Sequence, residues 1–227
     1  MIVSIHQPNY IPWLGFFHKL LLSDTYVVFD DVQFPRGKDY ANRNQIKTNN
    51  GKIWLTASVL GKNDLKPWKQ IEINDNGWRE KHLKNIKSFY QKTPYFDTYY
   101  PMIEYIYNQN QKLLMELNLD LILFFLGCLD KDLGIITSSN IETELKGLDK
   151  ILYILKYLKA TEYISGDGEG SKRYINEQLF KDNNIKLTWQ NYKHPVYKQQ
   201  FGEFIPYMSI LDLLFNEGPN SKNIILK

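Results

Sequence analysis

The sequence predicts an α/β fold: a parallel sheet flanked by helices, with a β-rich insertion after the second strand and a helical middle segment. Three observations carry that prediction. The first thirty residues read strand, loop, helix, strand, the order of a βαβ unit that opens a parallel sheet. Two strand-like runs and then a long helix-periodic stretch occupy the middle of the chain. Helix and strand patterns alternate again over the last third.

Ile2 to Ile5 reads as a short buried strand. Pro8 and Pro12 exclude helix from the segment that follows, because each fixes its own φ and restricts the preceding residue. Leu14, Phe17, Leu20 and Leu21 then repeat at helical spacing from Trp13 to about Ser23, and Gly15 permits a close backbone approach. Tyr26 to Phe29 is the second strand and ends in Asp30-Asp31. A polar loop, Gln33 to Asn50, leads to strands at Ile53 to Val59 and Gln70 to Ile73, an antiparallel insertion within residues 33–75. Gly77 to Lys92 is helical, with Trp78, Leu83, Ile86 and Tyr90 on one face, and Pro94 stops it. Pro101 to Leu129 is helical with a break near Asn118. Ile135 to Thr137, Glu162 to Ser165 and Lys186 to Trp189 are strands, separated by a helix over Leu148 to Leu158 and another ending near Phe180. The final helix, Ser209 to Phe215, stops at Gly218-Pro219. About five parallel strands in one Rossmann-like domain, residues 1–227, follow from this order.

Apolar residues make up 43% of the 227, enough to bury a sizeable core. The balance of 28 basic and 25 acidic residues, net +3, lacks the one-sided basic stripe of a nucleic-acid binder. A single cysteine, Cys128, excludes disulfides and cysteine-rich zinc sites within the chain. The start has no signal-peptide pattern, and the longest apolar run, Leu119 to Leu129, contains Asp120 and is too short to cross a bilayer. A cytoplasmic protein without membrane insertion is expected, with room for a homo-oligomer. No cofactor motif is legible, since neither GxGxxG nor GxxxxGK occurs, and dispersed histidines give no reason to expect a metal.

Several strings resemble a known family. His6-Gln7-Pro8-Asn9-Tyr10-Ile11-Pro12-Trp13-Leu14-Gly15, Asp30-Asp31-Val32-Gln33-Phe34 and Asn42-Arg43-Asn44-Gln45-Ile46-Lys47 are similar to signatures of WbqC-like proteins. So are Tyr163-Ile164-Ser165-Gly166, His194-Pro195-Val196-Tyr197 and Ser209 to Asn216. The resemblance covers essentially the whole chain. It implies a place in the assembly of O-antigens, capsules or related surface glycans.

The residues themselves supply candidate chemistry. His6 closes the first strand, where open parallel sheets bind ligands, and an imidazole there can act as base or acid. Asp31 ends the second strand, where side-chain alternation leaves one of the two acids facing such a site. These two are the catalytic candidates. Gln7, Asn9, Tyr10 and Trp13 line a stiff loop after His6, and Gln33 follows Asp31. Arg43, between Asn42 and Asn44, offers a planar fork of donors for phosphate, with charge added by Lys47 and Lys38. His82 lies four residues after Trp78 on one helix face and can flank a stacked ring. Ser165, in a glycine-rich loop, and His194 with Tyr197 complete the set of expected ligand-binding residues. His18 is expected on an exposed helix face.

With the family resemblance, these residues lead to an expected enzyme, a transferase moving an acyl or aminoacyl group onto a nucleotide-linked amino sugar. Two alternatives stand beside it. One is an ATP-dependent ligase or nucleotidyltransferase-like enzyme; the other is a non-catalytic nucleotide-sugar-binding protein. Each takes a small phosphorylated ligand and expects His6, Asp31 and Arg43 at one rim of the sheet.

Overall fold

The computed structural model describes residues 1–37 and 39–227; Lys38 lies outside the described residues. In chain order the first elements are β1 (Ile2–His6), α1 (Leu14–Leu21), β2 (Thr25–Val28), β3 (Arg43–Thr48) and β4 (Gly51–Thr56). Three helices follow, α2 (Trp78–Tyr90), α3 (Phe96–Tyr107) and α4 (Leu114–Cys128). Next come β5 (Gly134–Thr137), α5 (Gly147–Tyr157), β6 (Glu162–Ser165), α6 (Glu169–Tyr174), α7 (Glu177–Asp182) and β7 (Lys186–Trp189). The chain ends in α8 (Ile210–Glu217) and α9 (Ser221–Ile225). It divides into two compact units. The first unit comprises Met1–Gln7, His18–Asp31 and Leu133–Lys193; the second comprises Pro8–Phe17, Val32–Asp132 and His194–Lys227.

The first unit is built on a five-stranded parallel sheet in the order β5-β2-β1-β6-β7. Counted within the sheet this is 3-2-1-4-5, the Rossmann-like order, and it confirms the predicted α/β class. Ser4 pairs with Tyr26 on one side and Ile164 on the other, which puts β1 at the centre. The order of connections reverses between β1 and β6, so the switch point lies at the carboxyl ends of those two strands. Right-handed crossovers running in opposite directions place the second turn of α1 on one face and α5 and α7 on the other. Val3, Ile5 and Val27 point to the latter face and bury with Leu152, Ile154, Leu155 and Phe180. Each such side chain contributes about 1.5–3 kcal/mol on burial. Period-two alternation turns Ser4, His6 and Tyr26 to the α1 face.

The predicted helix ending near Phe180 is two helices, because the Asn176 side chain accepts from Gln178 N at 3.1 Å and starts α7 afresh.

In the second unit, an antiparallel hairpin pairs β3 with β4 in the register Arg43↔Thr56 to Thr48↔Gly51, turning through Asn49–Asn50. A hairpin follows β2 as expected, but its first strand occupies what reads as a polar loop. Asn44 and Lys47 look unfit for a strand by propensity, and tertiary hydrogen bonds override that. Gly51, at φ +111, opens the return strand. The residues expected as a later strand form only isolated bridges, Val59↔Ile73 and Glu72↔Leu113.

The break in the long helical stretch falls between Asn108 and Leu113 rather than at Asn118. There Asn110 takes φ +56 and Glu116 accepts from Lys112 N and Leu113 N, starting α4. Asn118 is instead a buried residue within α4. At the carboxyl end Gly218 adopts φ +53 and stops α8 as predicted, but a further turn, α9, follows. A side chain at Gly218 would also overlap the Tyr95 ring.

Candidate functional site

His6 ends the central strand of the first unit at the switch point. Its Nδ1 lies 2.8 Å from Gln7 O. A carbonyl only accepts, so Nδ1 carries the proton and Nε2 is the acceptor nitrogen. Burial lowers the pKa of His6 to about 3; the Lys19 charge adds to that and the Gln7 hydrogen bond opposes it. The imidazole is therefore neutral at physiological pH. Tyr26 Oη donates to His6 O at 3.1 Å and fixes the strand end.

Lys19 lies in the second turn of α1 and is only 4% exposed. Among the described residues no carboxylate pairs with it, and burial pulls its pKa from 10.5 to about 7. An unpaired ammonium in that setting is costly unless an anion joins it. Two residues before His6, on the same strand face, the Ser4 hydroxyl is fully buried and has no hydrogen-bond partner among the described residues. A hydroxyl without a partner and a lysine without a carboxylate, both among the described residues, thus accompany a neutral histidine.

The carboxyl ends of β2 and β5 carry a denser network. Asp30 is buried and accepts from Ser138 Oγ (3.0 Å), Ser139 N (2.9 Å) and Ser139 Oγ (2.6 Å). Asp31 is half-buried, ion-paired with Lys150 and 2.5 Å from Ser138 Oγ. Burial pushes its pKa up, but the Lys150 and Ser138 hydrogen bonds and the Lys150 charge outweigh that and hold it below the usual range. An ionised, ion-paired carboxylate is a poor proton acceptor; it can still receive a ligand hydroxyl. Ser165 is buried at the end of β6, its hydroxyl donating to Gly166 O at 3.3 Å. His18 is half-buried, not exposed as expected, because Gln190 donates to its Nδ1 at 3.1 Å and Tyr192 packs on its ring at 4.8 Å.

The other expected residues divide differently. His6, Gln7, Asp31 and Ser165 belong to the first unit, whereas Asn9, Tyr10, Trp13, Gln33, Asn42, Arg43, Asn44, Lys47, His82, His194 and Tyr197 belong to the second. Many of the latter hold the chain together. Asn44 Nδ2 donates to Ile11 O at 2.8 Å, and Asn118 Nδ2 donates to Pro8 O and Ala41 O at 2.6 and 3.1 Å. These bonds hold Ile11 at φ +33, a strained setting for a β-branched residue. Asn42 donates to Ala57 O and accepts from Lys62, and Lys47 Nζ reaches Glu203 O at 2.5 Å. Asp212, fully buried, accepts from Tyr90 Oη at 2.9 Å and Tyr197 Oη at 2.8 Å. Burial raises its pKa, against those hydrogen bonds and the Lys47 charge.

His194 has both nitrogens engaged, Nδ1 with Pro195 O at 2.9 Å and Nε2 with Tyr207 N at 3.1 Å, and its ring stacks on Trp13 at 6.5 Å. A side chain at Gly15 would overlap that Trp13 ring, which accounts for the glycine. Asn9 is half-buried and Gln33 is exposed. Arg43 is half-buried, donates to Asp39 O at 3.1 Å and stacks over the Trp54 ring at 4.1 Å. His82 and Tyr10 share a buried network under a cleft of about 470 Å³ lined by Trp54 and Trp78.

Sequence reasoning missed Lys19 and Lys150. Lys19 gave no signal: at helical spacing it falls with Gly15 and His18 on the half of α1 that carries no apolar residue, where a solvated lysine is ordinary. Lys150 offered none, since it sits on an ordinary amphipathic helix. Among the described residues, no group of three or more His, Cys, Asp or Glu side chains is arranged to hold a metal ion. No helix of the described residues is long and apolar enough to cross a membrane.

Comparison with known proteins gives a consistent assignment. An uncharacterised protein of Mycobacterium tuberculosis (strain ATCC 25618 / H37Rv), Rv1507c, is 31% identical over 229 residues, covering 98% of this chain and 96% of that protein. No solved structure matches. The sequence model of the WbqC-like protein family matches residues 7–224, nearly the full length. This chain belongs to the WbqC-like protein family.

Proposed function

We propose that this protein is an enzyme of surface-polysaccharide biosynthesis, acting on O-antigen or capsule precursors, that transfers an acyl or aminoacyl group to a nucleotide-linked amino sugar. The WbqC-like family is associated with polysaccharide biosynthesis, which supplies the pathway. One observation carries the chemistry: a neutral His6 of fixed tautomer at the switch point, beside Lys19, buried and with no carboxylate partner among the described residues. Lys19 holds a phosphate of the nucleotide-sugar. The sugar amine attacks the carbonyl of an activated acyl donor; the new C–N bond forms, the bond to the donor's leaving group breaks, and the amine proton passes to His6 Nε2. The phosphate charge raises the basicity of His6 from its low resting value. Asp31, kept ionised by Lys150, accepts a sugar hydroxyl.

A second reading has its own support. The 3-2-1-4-5 sheet with its switch point at β1 and β6 suits a mononucleotide, which favours an ATP-dependent ligase or nucleotidyltransferase. A thermal-shift series separates the two. A nucleotide-linked amino sugar at a hundredfold excess over its Kd should stabilise the protein by about 3 kcal/mol. His6→Gln should keep that shift and lose product formation by about 10²–10⁴-fold. A shift with ATP alone, with pyrophosphate released on turnover, would replace the transferase with the ligase.

A further inference from the structure

The cleft of the second unit carries chemistry of its own. Its volume, about 470 Å³, is in the range of small-molecule sites. Trp54, 41% exposed, forms one wall, and one of its ring faces is covered by the Arg43 guanidinium at 4.1 Å. Trp78 and His82, four residues apart on α2, form another, their rings edge-to-face at 4.9 Å.

Hydrogen placement in the floor decides what His82 presents. Tyr10 Oη lies 2.8 Å from His82 Nδ1 and makes a short hydrogen bond with Tyr107 Oη. If His82 Nδ1 donated to Tyr10, and Tyr10 in turn to Tyr107, the Tyr107 hydrogen would have no acceptor among the described residues. The reverse order, Tyr107 to Tyr10 to His82 Nδ1, satisfies every hydrogen in the buried chain. It leaves the proton of His82 on Nε2, where the ring lines the cleft. Arg79 locks the network by donating to Tyr107 O at 2.9 Å and Gln111 O at 3.0 Å. Burial and the Lys81 charge hold the pKa of His82 at about 3, so the donor is uncharged.

Around this donor stand Thr56, Ser58, Asn76 and Asn85; Lys81 also lines the cleft, but it is exposed, so water solvates its ammonium and it needs no anion. Hydroxyls and amides both donate and accept, as sugar hydroxyls do, whereas a phosphate only accepts. Indole faces match the apolar C–H face of a pyranose. We infer that this cleft binds an uncharged pyranose or N-acetylpyranose, with the indole of Trp54 against the ring and His82 Nε2–H donating to a ring substituent oxygen. The site goes beyond the ligand site on the sheet of the first unit and does not depend on its chemistry.

Tryptophan fluorescence of the full chain, titrated with N-acetylglucosamine, N-acetylgalactosamine and methyl glucoside, tests it, with UMP as the nucleotide arm. At least one saccharide should give saturable binding, which Trp54→Ala, an exposed substitution on β4, weakens at least tenfold. Asn85→Ala, on the exposed side of the cleft, should weaken it several-fold without changing the melting temperature. No saturable saccharide binding, or binding indifferent to Trp54→Ala, overturns the assignment. UMP binding that Trp54→Ala abolishes would give the cleft to a nucleotide and overturn it equally. Neither outcome touches product formation by His6, so failure here is distinguishable from failure of the proposed reaction.

Discussion

Lys19→Met is expected to stabilise the folded protein while removing most of its affinity for a phosphorylated ligand. The folded-state pKa falls from 10.5 to about 7 because burial disfavours the ammonium. That fall corresponds to a destabilisation on the order of 5 kcal/mol at or below neutral pH. Between about pH 7 and 10.5 the unfolded chain binds the proton and the folded chain does not, so stability rises with pH across that window. Urea denaturation from pH 7 to 9 should show this rise in the wild type and little of it in Lys19→Met. At pH 7 the variant should gain about 1–4 kcal/mol, as when buried ions are replaced by apolar side chains of similar volume. Loss of a buried charge contact to ligand costs about 2–5 kcal/mol, a fall in affinity of about thirtyfold or more. A variant that is less stable and still binds would show that Lys19 serves the fold.

Acid should destabilise the protein well above the pH at which carboxylates titrate. His6 and His82, one in each unit, both have folded pKa values near 3 against 6.5 in the unfolded chain, each chiefly through burial. Below pH 6.5 the unfolded chain takes up two protons that the folded chain refuses. Stability therefore falls as pH drops from 6.5 toward 3, at up to about 2.7 kcal/mol per pH unit for the pair. Denaturation midpoints between pH 6.5 and 4.5 read the effect before Asp31, whose pKa is lowered, begins to protonate. His6→Gln should lower the slope by up to about 1.4 kcal/mol per pH unit, while His18 and His194, whose pKa values burial also lowers, add to what remains. A flat profile over that range would mean that both rings are solvated and that neither hydrogen-bond assignment holds.

The parallel sheet was legible because its strands are short apolar runs bounded by polar or glycine-rich turns, and β6 and β7 fall on the predicted residues. The hairpin was half-hidden. Arg43, Asn44, Gln45 and Lys47 read as a loop because strand propensity reflects packing, and nothing local announces that Asn44 will clamp Ile11 O or that Lys47 will reach Glu203 O. The same blindness affects the site. His6 could be placed at a strand end because the short apolar run Ile2 to Ile5 stops there, and Trp78 and His82 on one helix face from their spacing. Whether a polar side chain meets ligand or its own backbone depends on partners far along the chain. Asn42 and Asn44, beside Arg43, look like phosphate ligands in sequence and are bonded to backbone carbonyls in the fold. Lys19 looks like an ordinary helix lysine and is buried with no counter-ion among the described residues.

The most direct test of the account follows the Lys19 side chain by NMR in protein labelled with ¹³C-lysine, its ¹³Cε signal assigned by its loss in Lys19→Met. In the empty protein the signal should titrate near pH 7. With a nucleotide-linked amino sugar bound, the phosphate should pair with the ammonium and move the titration upward by more than one pH unit. A Lys19 signal that titrates at the same pH with the ligand saturating would show that no anion reaches this lysine, and the proposed site would be wrong.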